Sequence, residues 1–154
     1  MNDLTVSFMD SIPADVETRR SEDLAHYEAS HGVTVNYKKF AFLLRDSAND
    51  TIGVLEGYTA YAEIYVDDLW VDSNHRNLGY GSRLLKELDV RFRDEGFNNI
   101  NLVTSAFQAT GFYRKCGFVE EFTRVNSYNP RFNKTFFVKF FSDSDQTQGI
   151  LSGG

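Results

Sequence analysis

Apolar and polar residues alternate at the start of the chain, where Leu4, Val6 and Phe8 are separated by Thr5 and Ser7. That period of two predicts a strand over residues 4–9. Pro13 then stands where a first helical turn tolerates proline, and Val16, Leu24 and Tyr27 are the apolar points of a mostly polar helix that should stop near Gly32. Residues 40–45 and 51–56 read as two strands around a turn of Ser47, Ala48, Asn49 and Asp50, whose short polar side chains bond locally to backbone. Residues 63–71 form the longest strand, with Ile64, Val66, Leu69 and Val71 as apolar points. Its alternation breaks between Asp68 and Leu69, as a β-bulge would break it.

An amphipathic helix follows over residues 82–95, with Leu84, Leu85, Leu88 and Phe92 on one stripe and Gly96 as the stop. A short strand at 100–103, a short helix at 109–115 ended by Gly117, and strands at 118–125 and 136–141 complete the pattern, with Asn129 and Pro130 in the last turn. Residues 142–154 carry almost no apolar side chains, and a disordered tail is expected there, leaving one domain over residues 1–141. Strands alternating with helices predict an α/β (α+β) architecture, a mixed sheet with helices on both faces.

Composition narrows the class. A hydrophobic share of 42 % against 25 % charged residues fits a folded globular chain. No apolar run is long enough for a membrane helix, so no membrane partner is expected. The formal charge of −6 argues against nucleic acid, which needs clustered Lys and Arg, and leans toward a cationic substrate. Cys116, the only cysteine, excludes an internal disulfide and fits a reducing, cytoplasmic setting. His26, His31 and His75 have no metal-ligand spacing, so no metal is expected.

The chemistry concentrates at the junction of the long strand and the helix after it. Arg76, Gly79 and Gly81 stand in R-x-x-G-x-G spacing within Arg76-Asn77-Leu78-Gly79-Tyr80-Gly81. Glycines permit positive φ, so consecutive backbone N–H groups can converge on an anion at the positive end of the helix, and Arg76 adds a charged donor. A P-loop would need Lys followed by Ser or Thr after its second glycine, where Ser82 and Arg83 stand. A dinucleotide fingerprint would need a small residue at Leu84.

Together with the downstream stretch from Phe107 to Phe118, which contains Gln108, Ala109, Phe112, Tyr113, Lys115 and Gly117, this junction resembles the GNAT superfamily of N-acetyltransferases. The likeness is specific over residues 68–118, about a third of the chain. The Phe107-Gln108-Ala109 variant is similar to a bacterial group within it. Asn77 departs from the glycine that many members carry there.

The resemblance implies a mostly antiparallel sheet of about six to seven strands. It further implies an enzyme that moves an acetyl group from acetyl-CoA to a primary amine by direct attack. The diphosphate would lie on Leu78, Gly79, Tyr80, Gly81 and Ser82 with Arg76 and Asn77 beside it, and the pantetheine arm along Leu69, Trp70 and Val71. A backbone N–H near Leu69 or Trp70 would stabilise the oxyanion.

Tyr113 matches the family's general acid. Donation from a free tyrosine to a thiolate is uphill by about 1.5 pKa units, or roughly 2 kcal/mol, and a modest environmental shift would remove the deficit. Glu63, Tyr65 and Asp67 share one face of an unbroken strand, which makes Asp67 the first candidate base and Glu63 the second. The acceptor pocket is expected from the N-terminal helix and residues 37–40 and 126–132. Its occupant is a small-molecule or protein amine: polyamines, amino-sugar or nucleoside antibiotics and free amino acids all stay open. A homodimer stays open too, as does a non-catalytic acyl-CoA sensor on the same fold.

Overall fold

The computed structural model describes residues 3–141, which fall into two compact units divided between Val35 and Asn36. The tail expected over 142–154 lies outside the described residues. The first unit contains one regular element, α1 (Ala14–Ser30). Pro13 caps it with φ −59° and ψ 146°, and the Pro13 carbonyl accepts the Glu17 N–H at 3.0 Å. Asp15 and Glu17 lie in the first turn, where negative charge meets the positive end of the helix. Gly32, at φ +69°, turns the chain out at the far end.

The strand expected over residues 4–9 is absent. Leu4, Val6 and Phe8 are 91 %, 101 % and 95 % exposed. Alternation makes a segment able to pair, but pairing needs a second strand, and among the described residues of this unit the regular structure is a helix.

The second unit is built on a six-stranded sheet of order β1-β2-β3-β4-β6-β5. The strands are β1 (Lys38–Arg45), β2 (Thr51–Ala60), β3 (Glu63–Val71), β4 (Asn99–Ser105), β5 (Val119–Arg124) and β6 (Lys134–Phe140). In the β1–β2 turn the Asp46 carboxylate accepts the N–H groups of Ala48 and Asp50, both at 2.9 Å. Every pairing is antiparallel except that of β3 with β4.

That parallel contact is short. Only Glu63, Tyr65 and the Ile64 between them pair with Asn99–Asn101, after which the two strands separate. The β2–β3 register jumps within the same stretch, from Gly57 opposite Val66 to Glu56 opposite Asp68. Asp67 is therefore the extra residue of a bulge, one position earlier than the pattern suggested. Gly57 makes this possible: a Cβ on it would lie 2.2 Å from the Tyr65 carbonyl oxygen.

Helices α2 (Tyr80–Phe92) and α3 (Thr110–Lys115) cover the core. Leu84, Leu85, Leu88 and Phe92 of α2 are buried among Leu55, Ile64, Ile100, Leu102 and Phe137 of the sheet. Phe112 and Tyr113 of α3, with Cys116 just after it, pack against the same cluster. Buried aliphatic and aromatic side chains of this kind each contribute about 1.5–3 kcal/mol. The helix α2 starts two residues before the expected Ser82 because Gly79, at φ +83°, caps it. Among the described residues no helix is long and apolar enough to cross a membrane.

Candidate active site

The loop entering α2 turns on two left-handed residues, Asn77 at φ +63° and Gly79 at φ +83°. Asparagine is the non-glycine residue that visits this region most readily, so Asn77 keeps the backbone path that glycine would give. The two glycines of the motif serve different ends. Gly79 supplies the conformation, with open space where its Cβ would be. Gly81 has an ordinary φ but lies against α3: a Cβ there would meet the Phe112 ring at 3.1 Å. The expectation that both glycines act through positive φ is thus corrected for Gly81. Arg83 closes the first helical bond, its N–H on the Gly79 carbonyl at 3.0 Å, so the N–H groups just before it face outward for an anion.

The loop is braced from below. Asp72 accepts from the Asn74 N–H at 3.1 Å and lies 2.9 Å from His75 Nδ1. The His75 bond, followed by the Asn74 N–H, holds the Asp72 carboxyl below its ordinary value. Arg76 Nε donates to the Val71 carbonyl at 3.1 Å, anchoring the guanidinium at the end of β3.

Beside the loop runs a groove of about 580 Å³ between the end of β3 and α3. It gathers Leu69, Val71, Arg76, Asn77, Gly79, Tyr80, Gly81 and Ser82 from the expected set. Trp70 and Leu78 do not line it. Trp70 alternates to the other side of β3 and is 40 % exposed, and Leu78 points outward at 62 %. His75, Phe112 and Lys115 join the groove without having been singled out for it. Lys115, present in the downstream motif but given no role there, brings a second cation.

A smaller cavity of about 150 Å³ adjoins the groove, lined from both of the separating strands. Leu69, Ala109 and Tyr113 line both spaces. Its remaining walls come from Val66, Asp67 and Asp68 of β3, Leu102, Val103 and Thr104 of β4, and Gln108. Thr104 carried a signal in the sequence, a polar residue in an apolar strand, and it is 5 % exposed. Gln108 carried none beyond its place before Ala109.

The Tyr113 ring packs against Phe112, Phe118 and Phe137, with centroids 5.2, 5.9 and 5.8 Å away. Burial pushes its hydroxyl up from the ordinary tyrosine value, and the charge of Asp68 and the Cys116 thiol push the same way. The shift expected to close the gap to a thiolate therefore runs in the opposite direction.

The three-residue face of β3 is also corrected, because the bulge interrupts the pleat at Asp67. Asp67 lies in the inner cavity with Asp68. Glu63 lies away from it, accepting from the Tyr65 hydroxyl and, at 3.1 Å, from Asn99 Nδ2. The bond to Glu63, with burial next, raises Tyr65 to about 12. The Tyr65 ring stacks on Tyr58 at 4.8 Å, and Tyr58 in turn meets Tyr37 at 5.5 Å. Cys116, which lines neither cavity, contacts Ser82 Oγ through its Sγ at 3.7 Å and so ties the end of α3 to the first turn of α2. Among the described residues no cluster of three or more His, Cys, Asp or Glu is placed to hold a metal.

A family model described as the acetyltransferase (GNAT) family matches residues 2–118. Blasticidin-S acetyltransferase of Streptomyces morookaense is 40 % identical over 67 residues, 43 % of this chain and 49 % of that one. The chain spans half or less of the curated relatives it matches. An acetyltransferase from Bacillus cereus ATCC 14579 superposes with a TM-score of 0.70 at 24 % identity, over 87 % of this chain and 97 % of the other. An aminoglycoside 6'-N-acetyltransferase solved with coenzyme A superposes at 0.62 and 16 % identity, over 90 % and 98 %. At these identities the superpositions establish the fold.

Proposed function

The chain belongs to the acetyltransferase (GNAT) family, and we propose that it transfers an acetyl group from acetyl-CoA to a primary amine by direct attack. The observation that carries this reading is that the two spaces lie side by side and share Leu69, Ala109 and Tyr113 as walls. An anion-binding loop at one end and a small chamber at the other match a phosphate-bearing carrier with a short reactive tip.

The outward N–H groups at the start of α2, with Arg76 and Lys115, hold the diphosphate. The free edge of β3 at Leu69 and Val71 pairs with the amides of the arm, since β4 has already turned away. Its backbone donors near Leu69 take the developing oxyanion. Tyr113 protonates the departing thiolate. Like any tyrosine it is protonated at neutral pH, and the transfer, made more uphill by burial, is drawn forward by loss of the product. Asp67, exposed at the bulge and lining the chamber, takes the proton of the amine directly or through water. Glu63 is already engaged by Tyr65 and Asn99 and is assigned a structural part.

The acceptor is a small molecule bearing a primary amine. The similarity to blasticidin-S acetyltransferase makes antibiotic amines the first compounds to try. The test is steady-state thiol release with a panel of polyamines, amino sugars, nucleoside antibiotics and amino acids. Binding of acetyl-CoA with turnover of at least one amine is expected. Tight binding with no turnover of any amine would favour a sensor, and no binding of coenzyme A would sink the reading.

A further inference from the structure

Gln108 sits at the mouth of α3, where its side chain is held in one orientation by β4. Its Oε1 accepts the Ser105 backbone N–H at 2.9 Å and the Thr104 hydroxyl at 3.1 Å. A backbone N–H can only donate, so the atom facing Ser105 is the oxygen and the amide cannot be flipped. The Thr104 hydroxyl is 95 % shielded from solvent by residue exposure and has its bond to Gln108 as its side-chain contact. Both available lone-pair directions of Oε1 are thereby taken, and its nitrogen is turned the other way. Gln108 is exposed, among the described residues nothing accepts from that nitrogen, and the residue lines the inner cavity with Leu69 and Tyr113, so its amide N–H groups are available to a ligand there.

The side chain is thus a neutral, oriented donor with two hydrogens and no protein acceptor, on the wall of a chamber it shares with the carboxylates of Asp67 and Asp68, the phenol of Tyr113 and the Thr104 hydroxyl it already binds. A donor on that wall selects a carbonyl oxygen. We propose that Gln108 Nε2 binds the carbonyl oxygen of the acetyl thioester and stays bonded as that oxygen becomes an oxyanion. It acts as a second donor beside the backbone of β3, and this rests on the acetyl-transfer reading. The amine lone pair forms the new C–N bond while the carbonyl π pair moves to the oxygen held by Gln108. The pair returns as the C–S bond breaks, the sulfur takes a proton from Tyr113, and the nitrogen loses its own to Asp67 or water. Thr104 is a positioning residue, acting through its bond to Oε1.

The test compares wild type, Gln108→Glu, Thr104→Val and Thr104→Ser by titration calorimetry with acetyl-CoA and with coenzyme A, and by turnover. Gln108→Glu keeps an oxygen for Ser105 and Thr104, so its melting temperature should stay within about 2 °C of wild type, a sub-kcal/mol change for a chain this size. It replaces the donor with an acceptor. The preference for acetyl-CoA over coenzyme A should fall about 5- to 10-fold, since only the thioester offers the carbonyl. Turnover should fall about 100-fold, as loss of one oxyanion donor does. Thr104→Val should lose a smaller part of turnover, and Thr104→Ser should restore it. An unchanged acetyl-CoA preference in Gln108→Glu overturns the assignment, as does equal weakening of both ligands. Wild type that binds no acetyl-CoA overturns the acetyl-transfer reading and this assignment with it. A competent wild type beside an equally competent Gln108→Glu overturns this assignment alone.

Discussion

Replacing Gly57 with alanine tests the argument that the bulge in β3 creates the active chamber. Gly57 has no unusual φ, so the effect is purely one of space. The added Cβ would lie 2.2 Å from the Tyr65 carbonyl oxygen, 3.2 Å from its carbon and 2.8 Å from Phe40 Cζ. The phenyl ring can tilt aside. The carbonyl is backbone, and Tyr65 is paired on both sides, with Tyr58 of β2 and Asn101 of β4. Relief to an ordinary carbon–oxygen separation requires a strand displacement of about 1 Å, where overpacking in a tight interior costs about 3 kcal/mol or more. At about 2–4 °C per kcal/mol, the melting temperature should drop by roughly 6–12 °C. The displaced strand carries Val66, Asp67, Asp68 and Leu69, all walls of the chamber, so acetyl-CoA affinity should fall at least about tenfold (1.4 kcal/mol) in the fraction that remains folded. Thermal melts and titration calorimetry below the new melting point read the two effects. A melting shift under about 2 °C with unchanged affinity would refute the claim that bare Gly57 is what lets the bulge form.

Gly79→Ala meets no neighbour but forces alanine to φ +83°; it should cost about 1–2 kcal/mol by denaturant titration and weaken coenzyme A binding. Gly111→Ala, in the first turn of α3 with open space around it, should instead stabilise by about 0.4–1 kcal/mol. Tyr113→Phe keeps the ring contacts, so stability should hold while turnover falls by about 10²-fold with little change in KM for acetyl-CoA; normal turnover would remove the general-acid role. Tyr65 is raised from 10.0 to about 12 in the folded chain. A phenol with a raised folded value contributes stability in full below its unfolded value and loses it as pH climbs toward the folded one. Melts between about pH 8 and about pH 12 should therefore show a loss above pH 10 in wild type that is smaller in Tyr65→Phe.

The second unit was legible in the sequence where a residue's role is local. Leu84, Leu85, Leu88 and Phe92 announce a buried helix face because their spacing needs no knowledge of what lies opposite. The strand of residues 63–71 ends where its pattern does. What escaped depends on a partner. Leu4, Val6 and Phe8 alternate as strand residues do, yet alternation says nothing of whether an edge is offered to them. The bulge was visible as a defect in β3, but its position follows from Gly57 on β2, which the β3 pattern does not contain. Gly81 looked like a conformational glycine until Phe112 appeared beside it from α3. The loop end of the groove was legible because it is made by one continuous segment. The chamber was not, being assembled from β3, β4 and α3.

The pair Asp67 and Asp68 joins the electrostatics of the chamber to its chemistry. Burial first, and the charge of Asp68 second, make the Tyr113 hydroxyl a poorer acid than free tyrosine. That is unhelpful for a resting enzyme asked to protonate a thiolate. Attack changes the balance, because the amine nitrogen becomes cationic as it forms its bond to the acetyl carbon. A positive charge arriving beside Asp68 offsets the field that Asp68 exerts on the phenol, so Tyr113 becomes a better donor when there is a thiolate to receive the proton. In the proposed reaction the same carboxylates draw a protonated amine into the chamber beforehand. Asp68→Asn should therefore lower the Tyr113 titration point, read as tyrosinate absorbance against an Asp68→Asn/Tyr113→Phe control. It should also raise KM for the amine by about fivefold, the equivalent of about 1 kcal/mol for an ion pair in partial contact with water. Added salt should weaken amine binding in wild type and do so less in the variant. A KM for the amine that ignores both the substitution and the salt would show that these carboxylates take no part in drawing the acceptor in.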